Sequence, residues 1–266
     1  MSEPDSTHQP PLIDTTVAHS ARVTDALLGG TAHYEADREV AEHFRAQFPG
    51  VAESFVASRD FLGRAVRYLA RDAGIRQFLD IGTGLPTENN THEVAQRYQH
   101  DAAIVYVDND PVVLLHSQAL LTSTPEGTTT YIERDLSDVA GVLELAWRTL
   151  DRTQPVALML LGVLGHEPSA DRAAELVAAY MAELAPGSYL VTCDTGRSEE
   201  SLAAQAAYAA SGAVPYYVRT TEEIGAQARG LEILSPGVVS VTQWRPDPGM
   251  PVLPRVDQTG LVARKP

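Results

Sequence analysis

Near Arg76 the hydrophobic period of the chain changes, and that change limits the possible folds more than any other feature of the sequence. Upstream, Phe55, Ser58, Leu62, Ala65, Val66 and Leu69 recur at helical spacing over about 52–72, and Gly74 is placed to end that helix. Downstream, Gln77-Phe78-Leu79-Asp80-Ile81 is a short apolar run that stops at Gly82-Thr83-Gly84. This is the pattern of a strand buried on both faces that meets a tight turn. Strand patterns follow at 103–107, 129–133, 156–161 and 189–193, separated by helical patterns at 91–98, 112–121, 138–150 and 169–184. A parallel sheet with helices on both faces satisfies that alternation economically. An alanine-rich helix over 199–210 is expected to end near Gly212, and a short helix over 221–228 precedes runs at 231–234 and 238–244. Ser235-Pro236-Gly237 separates those runs, so they read as an antiparallel hairpin.

The chain divides accordingly. Residues 1–18 are polar and proline-bearing and read as a loose arm. Residues 19–74 form an N-terminal helical extension, with helices expected over 19–28, closed by Gly29-Gly30, and over 34–48, closed by Pro49-Gly50. The α/β domain covers 75–247, and 248–266 reads as a tail.

Composition excludes several classes of function. A formal net charge of -15 repels a polyanion, and no basic run with interleaved aromatics is present, so no nucleic-acid partner is expected. No apolar run approaches membrane-spanning length. The first residues lack the basic and apolar blocks of a secretion signal, and the single cysteine, Cys193, allows no internal disulfide. A cytoplasmic protein without a metal site is expected. The one lysine is Lys265, next to the end of the chain. A phosphate-binding Walker loop, a Schiff-base enzyme and a Tyr-x-x-x-Lys dehydrogenase each need an interior lysine, and none is available.

In an open parallel sheet, ligands settle beyond the carboxyl ends of the strands. Asp80, Gly82, Thr83 and Gly84 stand at the end of the first strand, where glycines let a ligand approach the backbone amides. Asp108 and Asn109 end the second strand, where a carboxylate can accept both hydroxyls of a ribose. Asp135 and Leu136 end the third, where a carboxylate can accept from an adenine amino group. Each acid alone is commonly a helix cap. Three in successive βα units favour a shared ligand.

FLDIGTGLPT, VYVDNDP and ERDLSD resemble motifs I, II and III of class I S-adenosylmethionine-dependent methyltransferases. HSARVTDALLGG with YEADRE, LPTENNTHEVAQR and GLEILSPGVVSVTQWRP are similar to a narrower bacterial family of S-adenosyl methyltransferases, largely of unassigned substrate. The resemblance covers about residues 13–247. It implies a Rossmann-like, doubly wound, seven-stranded, mostly parallel sheet closed by an antiparallel C-terminal hairpin, with S-adenosylmethionine as cofactor. It places Asp80 and Gly82 at the methionine part, Asp108 at the ribose, and Asp135 with Leu136 at the adenine. Pro86 stands where the general motif has a third glycine. Arg22, Asp25, Gly29, Gly30, Tyr34, Asp37 and Arg38 match the narrower family's N-terminal pattern. Arg22 or Asp25 is expected to reach the cofactor, the alternative being a helix-packing salt bridge.

Methyl transfer from a sulfonium is an in-line displacement, so alignment supplies most of the catalysis, and an acceptor carrying a proton needs a base as well. His166, just after the fourth strand, is the base candidate; the alternative is a structural histidine. Asp194 and Tyr34 are weaker candidates. The expected function is methyl transfer to an unknown, small-molecule acceptor. The alternatives are a non-catalytic S-adenosylmethionine- or S-adenosylhomocysteine-binding regulator and, less favoured, a nicotinamide-dependent oxidoreductase.

Overall fold

The computed structural model describes residues 14–120, 122–211, 213–247, 249 and 253–266, the side chains of 118 and 120 excepted. Positions 1–13 of the expected arm, and Gly212 as a helix end, lie outside the described residues.

The alternation of the sequence appears as β1 (Gln77–Ile81), α4 (Thr91–Gln96), β2 (Ala103–Asp108), α5 (Pro111–Leu120), β3 (Thr128–Glu133), α6 (Val139–Ala146), β4 (Ala157–Leu161), α7 (Ala170–Glu183) and β5 (Tyr189–Thr195). Before these come α1 (Ser20–Leu27), α2 (Glu35–Gln47) and α3 (Val51–Arg67). After them come α8 (Glu199–Ala210), α9 (Thr221–Ala226), β6 (Glu232–Ile233), β7 (Val239–Ser240) and β8 (Gln258–Arg264). The main path of the sheet is β3-β2-β1-β4-β5-β8-β6, and β7 also pairs with β8. β1 to β5 are mutually parallel, and β8 runs antiparallel to β5.

Because side chains alternate across a strand, each central strand feeds two cores. Leu79, Val105, Leu158 and Leu190 pack with Val142 of α6, Val177 of α7 and Ile224 of α9. Their neighbours Phe78, Ile104, Met159 and Val191 pack on the other face with Phe61 and Val66 of α3, Val94 of α4 and Trp244. The near-continuous apolar reading of the strands follows from this burial on both sides.

The C-terminal part departs from expectation. The runs at 231–234 and 238–244 do not pair with each other as a hairpin; β6 and β7 each pair with β8. The stretch read as a tail therefore supplies a strand inside the sheet, with Leu261, Val262 and Ala263 fully buried. Gly260 sits in this strand because a Cβ there would lie 2.9 Å from both the Cys193 Cβ and the Thr192 carbonyl oxygen. Its polar start and internal glycine hid it from pattern reading.

The N-terminal extension also divides. α3 packs on the sheet, whereas Val23 and Leu27 of α1, Val40 and Ala41 of α2, Phe48 and Val51 form a separate cluster with Ala204 and Tyr208 of α8. This cluster of α1, α2 and α8 forms a cap. The cavity described next is bounded by the cap and by the carboxyl ends of β1 to β5.

Candidate functional site

β1 stops at Ile81 because Gly82 and Gly84 take φ values of +71° and +64°, the left-handed region that glycine enters at least cost. The Gly82 amide donates to the Val107 carbonyl at 2.8 Å, locking the turn onto the end of β2. A Cβ on Gly82 would lie 2.4 Å from a Val163 methyl, so the turn and the β4 loop approach as closely as bare backbone permits.

The three strand-tip acids are in different electrostatic states. Asp80 accepts from the Thr91 hydroxyl at 2.5 Å, and burial pushes its pKa up to about 6. Asp108 accepts from the Gly84 amide at 2.9 Å and the Asp110 amide at 3.0 Å; burial raises its pKa despite those donors. Asp135 accepts from the Ser137 amide at 2.9 Å, the Ser137 hydroxyl at 2.6 Å and Asn109 Nδ2 at 3.1 Å. Burial works against its charge, but these donors outweigh it and hold the pKa below the usual carboxylate value.

A cavity of about 480 Å³ brings these groups together. Asp80, Gly82, Thr83, Gly84, Asp108, Asn109, Asp135 and Leu136 all line it, as do Asp25 and His166. The Asp25 carboxylate accepts from the Ala32 amide and meets His33 Nδ1, both at 2.9 Å, so part of its bonding capacity is spent within the cap. Arg22, expected to reach the cofactor, does not line the cavity. Its Nε lies 3.3 Å from Asp110 and its Nη1 3.7 Å from Asp37, and it also donates to the Asp14 and Val17 carbonyls. These are the ion pairs of the helix-packing alternative. Tyr34 caps α2, and Asp194 is wholly buried, so neither lines the cavity as a base would.

His166 Nδ1 lies 2.9 Å from the Pro215 carbonyl oxygen, and its ring meets Tyr216 edge-on at 5.2 Å between centroids. A carbonyl can only accept, so Nδ1 carries the proton and Nε2 the lone pair in the neutral ring. Burial lowers the imidazole pKa, which keeps it neutral near pH 7. Asp194 accepts from the Gly165 amide at 3.1 Å, the Tyr216 hydroxyl at 3.3 Å and Gln227 Nε2 at 2.7 Å. It thereby fixes the loop on which His166 stands.

The profile of a family described as S-adenosyl methyltransferase matches residues 6–266. The chain belongs to the S-adenosyl methyltransferase family. It is 41% identical to a DUF574 family protein from Streptomyces avermitilis over 96% of this chain and 100% of that one, with a TM-score of 0.90. It is 38% identical to a candidate methyltransferase from Thermobifida fusca over 98% and 99% of the two chains, with a TM-score of 0.87. The plantazolicin methyltransferase BpumL, solved with S-adenosylhomocysteine, shares the fold at 10% identity over 92% and 95% of the chains and a TM-score of 0.51. No curated protein matches the chain.

As a member of this family the protein is an S-adenosylmethionine-dependent methyltransferase. The residues present fit that cofactor, since one cavity holds a turn with glycines at 82 and 84 and three carboxylates spaced along consecutive strand tips. Sequence reasoning missed two sets of lining residues. Phe55, Ser58 and Leu62 were read as the core stripe of α3, yet all three line the cavity, as does Arg59 beside them. A serine within an apolar stripe was the available signal. Phe44, Phe48, Tyr208 and Tyr216 also line the cavity, from segments far apart in sequence that no motif joins.

Proposed function

We propose that this methyltransferase methylates a small, uncharged, largely apolar acceptor at an ionisable hydroxyl or N–H, with His166 as the general base. When bound, S-adenosylmethionine supplies a methyl group already activated on a sulfonium. The chain's own residues then have three tasks. Asp80 and the Gly82-Thr83-Gly84 turn orient the methionine part, Asp108 accepts the ribose hydroxyls, and Asp135 with Leu136 receives the adenine. His166 Nε2 takes the acceptor's proton, which leaves an oxygen or nitrogen lone pair free to displace the sulfur. The cap excludes water from that step.

The observation that carries the acceptor assignment is the composition of the cap side of the cavity. Away from the strand tips, Leu27, Phe44, Phe48, Val51, Phe55 and Tyr208 form an uncharged stretch of its wall, and Asp25, the acid that α1 brings to the cavity, is already bonded to the Ala32 amide and His33. A charged acceptor would lose its hydration there without gaining a partner, at a cost of several kcal/mol. The net charge of -15 supports a small molecule over nucleic acid. Among the described residues no helix is long and apolar enough to cross a membrane. With a single buried cysteine, a cytoplasmic site of action is the natural reading.

Incubation with methyl-labelled S-adenosylmethionine and matched pairs of neutral and carboxylated aryl alcohols tests the proposal. Label is expected on neutral members. Transfer only to carboxylated members would overturn it.

A further inference from the structure

Arg59 is a cation without an anion. It projects from α3 into the cavity beside Asp80, Thr83 and Gly84, and also borders the small recess behind them with Asn90, Thr91 and Tyr106. Its hydrogen bonds go to the Thr87 hydroxyl, from Nε at 2.9 Å and from Nη2. Among the described residues no carboxylate lies within ion-pair distance of it, whereas the other arginine lining the cavity, Arg134, pairs with Asp138. Burial pulls the Arg59 pKa down, and the largest compensating charge effect comes from Asp80, through space and without an ion pair. A guanidinium drawn out of water without a contact partner is costly, and such a site is retained where a ligand supplies the missing anion.

The local geometry restricts which anion fits. Asp80 holds one carboxylate oxygen against Thr91 at 2.5 Å and lines the same cavity. An acid and a guanidinium that flank one space without touching suit a ligand bearing both charges on neighbouring atoms. The planar fork of arginine matches a carboxylate in two parallel hydrogen bonds, which a lysine could not supply.

We propose that Arg59 is the carboxylate-binding residue of the site, forming with Asp80 a clamp for the α-amino-acid zwitterion of the cofactor, the carboxylate on Arg59 and the ammonium toward Asp80. This rests on the placement of the methionine part given above. The clamp makes recognition of the amino-acid end separable from recognition of adenosine by Asp108 and Asp135.

Ligands that lack parts of that end test the clamp by calorimetry. The probes are S-adenosylhomocysteine, decarboxylated S-adenosylmethionine, which keeps the ammonium alone, and 5′-methylthioadenosine, which keeps neither charge. Replacing Arg59→Met is expected to weaken S-adenosylhomocysteine roughly 10–100-fold while changing the other two less than about threefold. Arg59→Lys is expected to restore part of the loss, and retained 5′-methylthioadenosine binding shows that each variant is folded. Equal weakening of all three ligands, or none of any, would overturn the clamp. Absence of binding by every adenosine ligand to the unmodified protein would instead remove the cofactor placement on which it rests, and the clamp with it.

Discussion

The Asp108 carboxylate accepts a hydrogen bond from the Gly84 amide at 2.9 Å, tying the tip of β2 to the turn that ends β1. One carboxylate thus shapes the glycine turn and faces the cavity where a ribose is placed. Asp108→Asn keeps the shape and removes the charge. It is expected to weaken S-adenosylhomocysteine binding about 10–100-fold, measured by calorimetry, with little loss of fold. Unchanged affinity would separate Asp108 from cofactor recognition.

Gly82 is constrained twice, by a φ of +71° and by the Val163 methyl 2.4 Å from where a Cβ would stand. Gly82→Ala is expected to cost about 1–2 kcal/mol for the backbone and about 1–3 kcal/mol for the overlap in urea unfolding. Only the second part is removed by truncating the neighbour. The same substitution made in a Val163→Gly background, which removes the Cβ 2.5 Å away as well as the methyl, should therefore cost less by that amount; an equal cost in both backgrounds would argue against the overlap.

His166 works as a base only in its neutral form, and burial holds its pKa below 6.5. Methyl transfer to a protonated acceptor is expected to rise with pH, with the inflection below 6.5, because the charged imidazolium takes over only at lower pH. His166→Gln should lower kcat about 10²–10⁴-fold and leave S-adenosylhomocysteine affinity unchanged. A limb that inflects above 6.5, or a variant with full kcat, would return His166 to a structural role.

Asp194 is fully buried, and burial pushes its pKa up to about 6 from 3.8. Between those values the folded state holds a proton that the unfolded chain has released, so this residue's contribution to stability is present below pH 3.8 and is lost as pH rises through about 6. Relative to the parent, Asp194→Asn should gain stability between pH 4 and pH 7, on the order of 3 kcal/mol across the window. Urea unfolding at each pH checks this. A pH-independent difference between the two proteins would mean that Asp194 stays ionised in the fold.

The middle of the fold was legible because its strands are buried on both faces and announce themselves as apolar runs bounded by turn residues. Asp80, Asp108 and Asp135 could be placed for the same reason, since a strand tip in a parallel sheet is a fixed address. β8 was not legible: seven residues with an internal glycine acquire their identity from β5, β6 and β7 beside them. Where Arg22 points was not legible, because an arginine in a matching N-terminal pattern carries no sign of it; Asp110 and Asp37 take its guanidinium in the folded chain. Arg59 went unnoticed because a cation on an amphipathic helix looks solvated until the absence of a neighbouring acid is visible.

The proposed convergence of three strand tips on one cofactor is tested most directly by a crystal structure with S-adenosylhomocysteine. The ribose hydroxyls are expected within hydrogen-bonding distance of Asp108, the adenine amino group at Asp135, and the sulfur facing the chamber that holds His166. Density for the ligand outside this cavity, or an adenosine that leaves Asp108 and Asp135 without contact, would contradict the placement of the cofactor and with it the mechanism built on it.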